Sequence, residues 1–238
     1  MKIRAFGGNA LGDNLWQLTR IIAFNAYLVR EEDGLTLIDT GLAGSGNNIL
    51  KAAAEIGLPV TRIGLTHAHT DHVGSLDELS SALPGVEIAF SERTAQFLQG
   101  DLALRSDEPQ AELRGGFVKR QTEPTRTVAQ GDLFGSLRVV EAPGHSPDHI
   151  AFFDERDGTL IAGDAFQTQG GIAVAGVRRW LFPLPAMATW HLPTALKSAR
   201  ALRELNPTRL AVGHGRLLEN PVADIDRALA AAEAALNG

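Results

Sequence analysis

The stretch Thr66-His67-Ala68-His69-Thr70-Asp71-His72 gathers three of the chain's seven histidines and one aspartate within six positions. Imidazole and carboxylate are ligands of borderline-hard divalent metals. A knot this tight repels itself when protonated and is costly to bury unless a cation neutralises it. Three later residues sit in similar settings: His145 in Ala142-Pro143-Gly144-His145-Ser146-Pro147, Asp164 in Ile161-Ala162-Gly163-Asp164-Ala165, and His214 in Val212-Gly213-His214-Gly215. Each follows an apolar, strand-like run and has glycine beside it, the context of a side chain held at a strand end where backbones approach closely.

The elements that must position these side chains follow from periodicity. Val60 to Leu65 reads as a buried strand leading into the knot, and the Leu76/Leu79/Leu83 spacing after Gly74 reads as a helix with one buried face. The expected order is as follows. Ile3–Phe6 is a first strand, and residues 7–17 form a Gly/Asn-rich loop carrying Trp16. Ile21–Val29 and Leu35–Ile38 form a hairpin turning at 31–34, and a helix covers 47–56. A strand at 86–90 leads to a helix capped by Ser91, and strands follow at 137–141, 150–153 and 159–162. A helix at 194–205, a strand at 210–212 and a final helix at 221–236 complete the chain. Two long irregular segments remain, 101–124 and 166–191, and segments of that length more often serve as lids or pocket walls than as plain connections. Asp33-Gly34-Leu35-Thr36-Leu37-Ile38-Asp39 resembles Asp157-Gly158-Thr159-Leu160-Ile161 followed by Gly163-Asp164, a weak internal repeat. Two such halves suggest two sheets packed face to face with helices outside, the α/β class in a four-layer αβ/βα sandwich, as one domain over 1–238.

The His-x-His-x-Asp-His pattern at 67–72, with His145, Asp164 and His214 in order behind it, resembles the signature of the metallo-β-lactamase-fold hydrolase superfamily, and most closely its lactonase and glyoxalase II-like dinuclear branches. That resemblance implies the same sandwich fold. It implies one metal on His67, His69 and His145, a second on Asp71, His72 and His214, and Asp164 bridging both. The cofactors are then two divalent cations, zinc first, with iron and manganese accepted by the same ligands. Such a pair lowers the pKa of a bridging water from 15.7 to about 7, so that a hydroxide held between the metals attacks a carbonyl carbon. Asp71 would also orient that nucleophile. By the same resemblance Asp39 orients an imidazole N–H. His149, four residues past His145 and at the start of a strand, is expected to support the ligands rather than join them. The segment after Asp164 supplies a pocket wall, expected from Phe166, Arg178, Trp180, Phe182, Met187, Trp190 and His191.

Composition and comparison among branches narrow the function. With no cysteine, thiolate ligands and disulfides are excluded. The cysteine-using β-lactam-cleaving branches, and those without a bridging aspartate, do not match. The net charge of −6 and the absence of a basic run longer than Arg178-Arg179 argue against nucleic acid. No apolar run reaches membrane-spanning length and no secretory leader is visible, so a cytoplasmic protein acting on a small molecule, without membrane or nucleic-acid partners, is expected. The C-terminal helix carries Arg227 alone, unlike the basic extension of glutathione thioesterases. Tyr27, the one tyrosine, lies early in a strand, away from where some lactonases place a pocket tyrosine. The expected activity is hydrolysis of a small ester, lactone or thioester. The alternatives are a mononuclear iron persulfide dioxygenase, separable by one iron per chain with oxygen uptake, and a non-catalytic metal-binding module.

Overall fold

In a computed structural model, residues 2–3, 8–10 and 14–237 are described. The first part of the chain forms a mixed sheet: β1 (Lys2–Ile3), β2 (Gly8–Ala10), β3 (Leu15–Arg20), β4 (Phe24–Glu31), β5 (Gly34–Ile38), then α1 (Gly46–Ile56), β6 (Val60–Gly64), α2 (Thr70–Val73), α3 (Leu76–Ala82), β7 (Glu87–Phe90), α4 (Glu92–Leu98) and β8 (Arg126–Thr127). Strands lie in sequence order, antiparallel up to β5 and parallel from β5 to β8. The second part runs β9 (Leu133–Phe134), β10 (Leu137–Glu141), β11 (Ile150–Asp154), β12 (Thr159–Ile161), a small hairpin of β13 (Phe166–Gln167) and β14 (Ala173–Val174), α5 (Leu184–Met187), α6 (Leu192–Glu204), β15 (Arg209–Ala211), β16 (Leu218–Glu219) and α7 (Val222–Asn237). Its sheet has the order β16-β15-β12-β11-β10-β9, with β12 and β15 parallel.

Alternation along the strands builds three apolar layers. On β4, Ala26 and Leu28 face the helices while Tyr27 and Val29 face the other sheet. On β11, Ile150 and Phe152 point between the sheets, and Ala151 and Phe153 point to the opposite helices. Period-two side chains with both faces covered require apolar residues at every position, which is why these strands read as continuous hydrophobic runs. Ile49, Ala52, Leu76, Leu79 and Phe97 from α1, α3 and α4 seal the first sheet. Leu196, Ala199, Leu202, Ile225 and Ala228 from α6 and α7 seal the second. The result is a four-layer sandwich: helices, sheet, sheet, helices.

Three expectations are corrected. Trp16 is not in a loop but on β3, buried and packed into the first core. Ile21 and Ile22 do not belong to β4. The register runs from Leu15 opposite Val29 to Arg20 opposite Phe24, so residues 21–23 must close the hairpin, and both isoleucines lie exposed with φ of 50° and 71°. Burial of the flanking pairs fixes the register, and the apolar character of the tip has no vote. The 166–191 segment is not structureless, since it contains β13, β14 and α5. Of the proposed strand at 3–6, Ile3 lies in β1 and residues 4–6 lie outside the described residues.

Candidate metal centre

The parallel pairs β5/β6 and β12/β15 bring four strand carboxyl ends to one edge of the sandwich. Asp39 follows β5, residues 66–72 follow β6, Asp164 follows β12 and His214 follows β15. The β10–β11 connection brings His145 to the same edge. Main-chain bonds lock the halves together there: Ile150 N–H donates to Thr66 O at 2.8 Å and Asn25 N–H to Gly213 O at 2.9 Å.

All seven sequence-derived donors meet. His67 Nε2 lies 3.1 Å from His69 Nδ1, which lies 3.0 Å from His145 Nε2. Asp71 Oδ2 is 3.3 Å from His214 Nε2 and 3.8 Å from His72 Nε2. Asp164 spans the two groups. Its Oδ1 is 3.4 Å from His72 Nε2, and its Oδ2 is 3.3 Å from His145 Nε2 and 3.0 Å from His214 Nε2. Three triads, His67/His69/His145, His67/His72/Asp164 and Asp71/His72/His214, each keep their donor atoms within 4.8 Å of one another.

The outer nitrogen of every one of these imidazoles is occupied, and the partners fix the tautomers. His69 Nε2 donates to Arg114 O at 2.9 Å, and His214 Nδ1 to Ala23 O at 3.2 Å. His72 Nδ1 donates to Asp39 Oδ2 at 2.8 Å. The Thr66 hydroxyl spends its proton on Asp39, so it accepts from His67 Nδ1. The Thr189 hydroxyl spends its proton on Pro185 O, so it accepts from His145 Nδ1. With the outer nitrogens as donors, His67, His69 and His145 turn three bare lone pairs toward one point at about 3 Å separation, an arrangement only a cation relieves. His72 Nε2 and Asp164 Oδ1 are buried without a hydrogen-bond partner, as unclaimed ligand atoms would be.

Electrostatics point the same way. Burial drives the His67 and His145 imidazoles well below the usual histidine range, so they stay neutral. Burial would push the Asp164 carboxyl up, yet the imidazoles of His214, His72 and His145 hold it well below the carboxylate range. Against its own burial, His72 is raised well above the ordinary value by Asp164, Asp39 and Asp71, and His214 is raised to about 9, chiefly by Asp164. In the bare chain, protons on His72 and His214 thus stand in for positive charge that the carboxylates demand. The donor set therefore fits a pair of divalent cations.

The remaining expected residues divide. Asp39, in a left-handed backbone (φ 62°) that aspartate tolerates, sits against His72 and Thr66. His149 is not among the donors: its Nε2 accepts the Asp164 backbone N–H at 3.0 Å, and burial pushes it down to about 3. A cavity of about 320 Å³ opens over the donors, lined by Phe24, Leu184, Pro185, Met187 and Ala188 and by the Gly115-Gly116 backbone. Of the expected wall only Met187 lines it. Phe182 packs edge-on against Phe24 and at a tilt against His214. Trp180 and Arg178 line a neighbouring pocket. Phe166 is instead fully buried in the second core, because β13 turns it inward. Trp190 is also buried and bonds Ala111 O, and His191 Nδ1 pairs with Thr194 Oγ1 at the start of α6. Tyr27 is spent on joining the sheets, donating to Val212 O and accepting from Val212 N–H.

Sequence reasoning passed over Asp148, Thr66, Thr189, Phe24 and the Gly115-Gly116 contact. Asp148 is buried, and its Oδ2 accepts from Ala68 N–H and from the Thr94 hydroxyl, both at 2.8 Å, fixing the backbone between His67 and His69. Its one available signal was an aspartate three residues after a candidate ligand, in a run flanked by strands.

The family model of the metallo-beta-lactamase superfamily matches residues 24–214. The chain is 49% identical over 211 residues to "Uncharacterized protein YobT" of Bacillus subtilis (strain 168), covering 87% of this chain and 91% of that protein. It is 28% identical over 234 residues to "Probable metallo-hydrolase YflN" of the same organism, covering 90% and 88%. Among solved structures, the di-iron-bound form of TTHA1623 superposes with a TM-score of 0.64 at 26% identity, covering 90% of this chain and 96% of that one.

Proposed function

Because the chain belongs to the metallo-beta-lactamase superfamily, we propose that it is a dinuclear metal-dependent hydrolase of a small ester, lactone or thioester. One observation carries this reading: the Asp164 carboxylate reaches His145 and His214 with one oxygen and His72 with the other, so it can bridge two cations. His67, His69 and His145 would hold one ion, and Asp71, His72 and His214 the other, with zinc the first choice. When bound, such a pair supplies Lewis acidity that ionises a water near neutral pH and polarises a carbonyl. The chain does the rest. Asp71, the most exposed donor, fronts the cavity, where its carboxylate would accept a hydrogen bond from a water and orient it. Phe24, Leu184 and Met187 keep bulk water from the acyl group, and Asp39, Thr66 and Thr189 keep the imidazoles aimed.

The test is elemental analysis of His69→Ala and Asp164→Ala alongside turnover of a generic aryl ester. Metal content is expected to fall from two ions per chain to one or none. Turnover should fall by more than about a hundredfold, since losing even an outer partner of a metal site costs about 10–100-fold. Unchanged metal and rate would overturn the reading, and one iron per chain with oxygen uptake would replace hydrolysis by oxygenation.

A further inference from the structure

Among the described residues no lysine or arginine lines the cavity over the donors. Its walls are apolar side chains, glycine backbone and the ligand residues themselves. Met187 is shared with a second pocket of about 280 Å³, whose other linings are Arg178, Trp180 and Pro183. Among the described residues Arg178 makes no hydrogen bond or ion pair, while its neighbour Arg179 is committed to Ile172 O. Trp180 is 89% exposed, although Trp16 and Trp190 are both 5% exposed. The exposed indole and the unpaired guanidinium line the same pocket. The two side chains offer complementary recognition: a face for a flat ring and a donor fork for an anion.

We infer that Arg178, Trp180, Pro183 and Met187 form an accessory subsite that takes the flat, anionic end of the substrate. Resting on the hydrolase reading, the substrate is then bipartite. A small uncharged acyl group enters the apolar metal cavity, and a planar leaving group bearing a carboxylate passes Met187 to reach Arg178.

Two measurements separate the subsite from the reaction. Tryptophan emission is titrated with 4-nitrobenzoate and with 4-nitrobenzamide, whose nitroaryl rings quench an indole they stack on. Saturable quenching by the carboxylate, at least about five-fold tighter than by the amide and lost in Arg178→Gln, is expected. A five-fold effect is the scale of one exposed charged contact. Binding that survives Arg178→Gln places the anion elsewhere, on the metals for example, and overturns the inference. So does an absence of saturation. Kinetically, 4-acetoxybenzoate should show a KM about five-fold below that of 4-acetoxybenzamide at similar kcat, and that ratio should fall to about one in Arg178→Gln. Equal KM values in the wild type overturn it. If neither ester is cleaved yet the Arg178-dependent quenching appears, the subsite stands and the hydrolase reading falls.

Discussion

His69 is constrained from both sides of its ring. Nδ1 faces the other donors, and Nε2 donates to Arg114 O in the long 101–124 segment. The segment can lie that close because residue 115 is glycine: with φ of +90°, an added Cβ would fall 2.4 Å from His69 Nε2. Gly131 has nearly the same backbone (φ +87°) with nothing within 4 Å of an added Cβ. Alanine at either position pays the left-handed strain of about 1–2 kcal/mol. Only Gly115→Ala also pushes on a donor imidazole. Gly115→Ala should therefore lower metal occupancy and reduce ester turnover at least about ten-fold, while Gly131→Ala loses a similar amount of stability and keeps its turnover. Equal turnover in the two variants would show that the segment does not aim His69. The donors were readable in sequence because each is a chemically distinctive residue in a locally distinctive setting. Gly115, Thr66, Thr189 and Asp148 were not, because a glycine, two threonines and one more aspartate acquire meaning only from what lies across from them in space.

The two irregular segments form one structure around the site. The Trp190 indole donates to Ala111 O, and Trp190 N–H donates to His145 O. The residue beside it, Thr189, accepts from the His145 ring. The wall of the cavity and the cover over His69 are thus tied together next to a donor. Trp190→Phe removes a bond worth about 0.5–1.5 kcal/mol without opening a large void. Amide exchange should rise within 101–124, and global stability should change little. If exchange rises equally throughout the chain, Trp190 is a core residue and not a strap. Regular elements were legible from periodicity to within a few residues, α1, α6 and α7 most clearly, because one buried face writes a repeating signal. The strap was not, since hydrogen bonds between irregular segments leave no period. Ile21-Ile22 failed for the converse reason: an apolar pair signals burial, but here the hairpin register placed it at the tip.

At the scale of the whole molecule, the sheets meet through a layer in which Phe152 is central and fully buried. Gly64 lies at the tip of its ring, where an added Cβ would come within 3.1 Å of Phe152 Cζ and 2.9 Å of Ile38 Cδ1. Phe152→Ala should cost about 3–5 kcal/mol and lower Tm by roughly 10 °C. The halves carry different donors, so metal binding should weaken as well. A Tm shift below about 3 °C would show that the layer relaxes around the void.

The site that joins the halves also couples the stability of the metal-free chain to protons. Burial holds the imidazoles of His67, His145 and His149 below the usual range, His149 down to about 3. Between pH 6.5 and pH 5 the unfolded chain protonates these rings and the folded chain does not, so stability falls as pH falls. His72 and His214, both raised by Asp164 against their burial, hold their protons in the folded chain while the unfolded rings are still filling, so they add stability on acidification and offset part of that loss. Asp148, whose carboxyl burial raises, works in the same offsetting direction, but the lowered imidazoles number four once His69, also lowered by burial, is counted, and they carry the net slope. At about 1.4 kcal/mol per pH unit, His149 alone accounts for about 2 kcal/mol at pH 5. Chelator-treated protein should therefore unfold at a distinctly lower urea concentration at pH 5 than at pH 7. His149→Asn should remove about 2 kcal/mol of that difference. A midpoint that stays level or rises on acidification would mean that the buried imidazoles already carry protons in the folded, metal-free chain, and the lone-pair cluster on which the metal assignment rests would then be a hydrogen-bonded one.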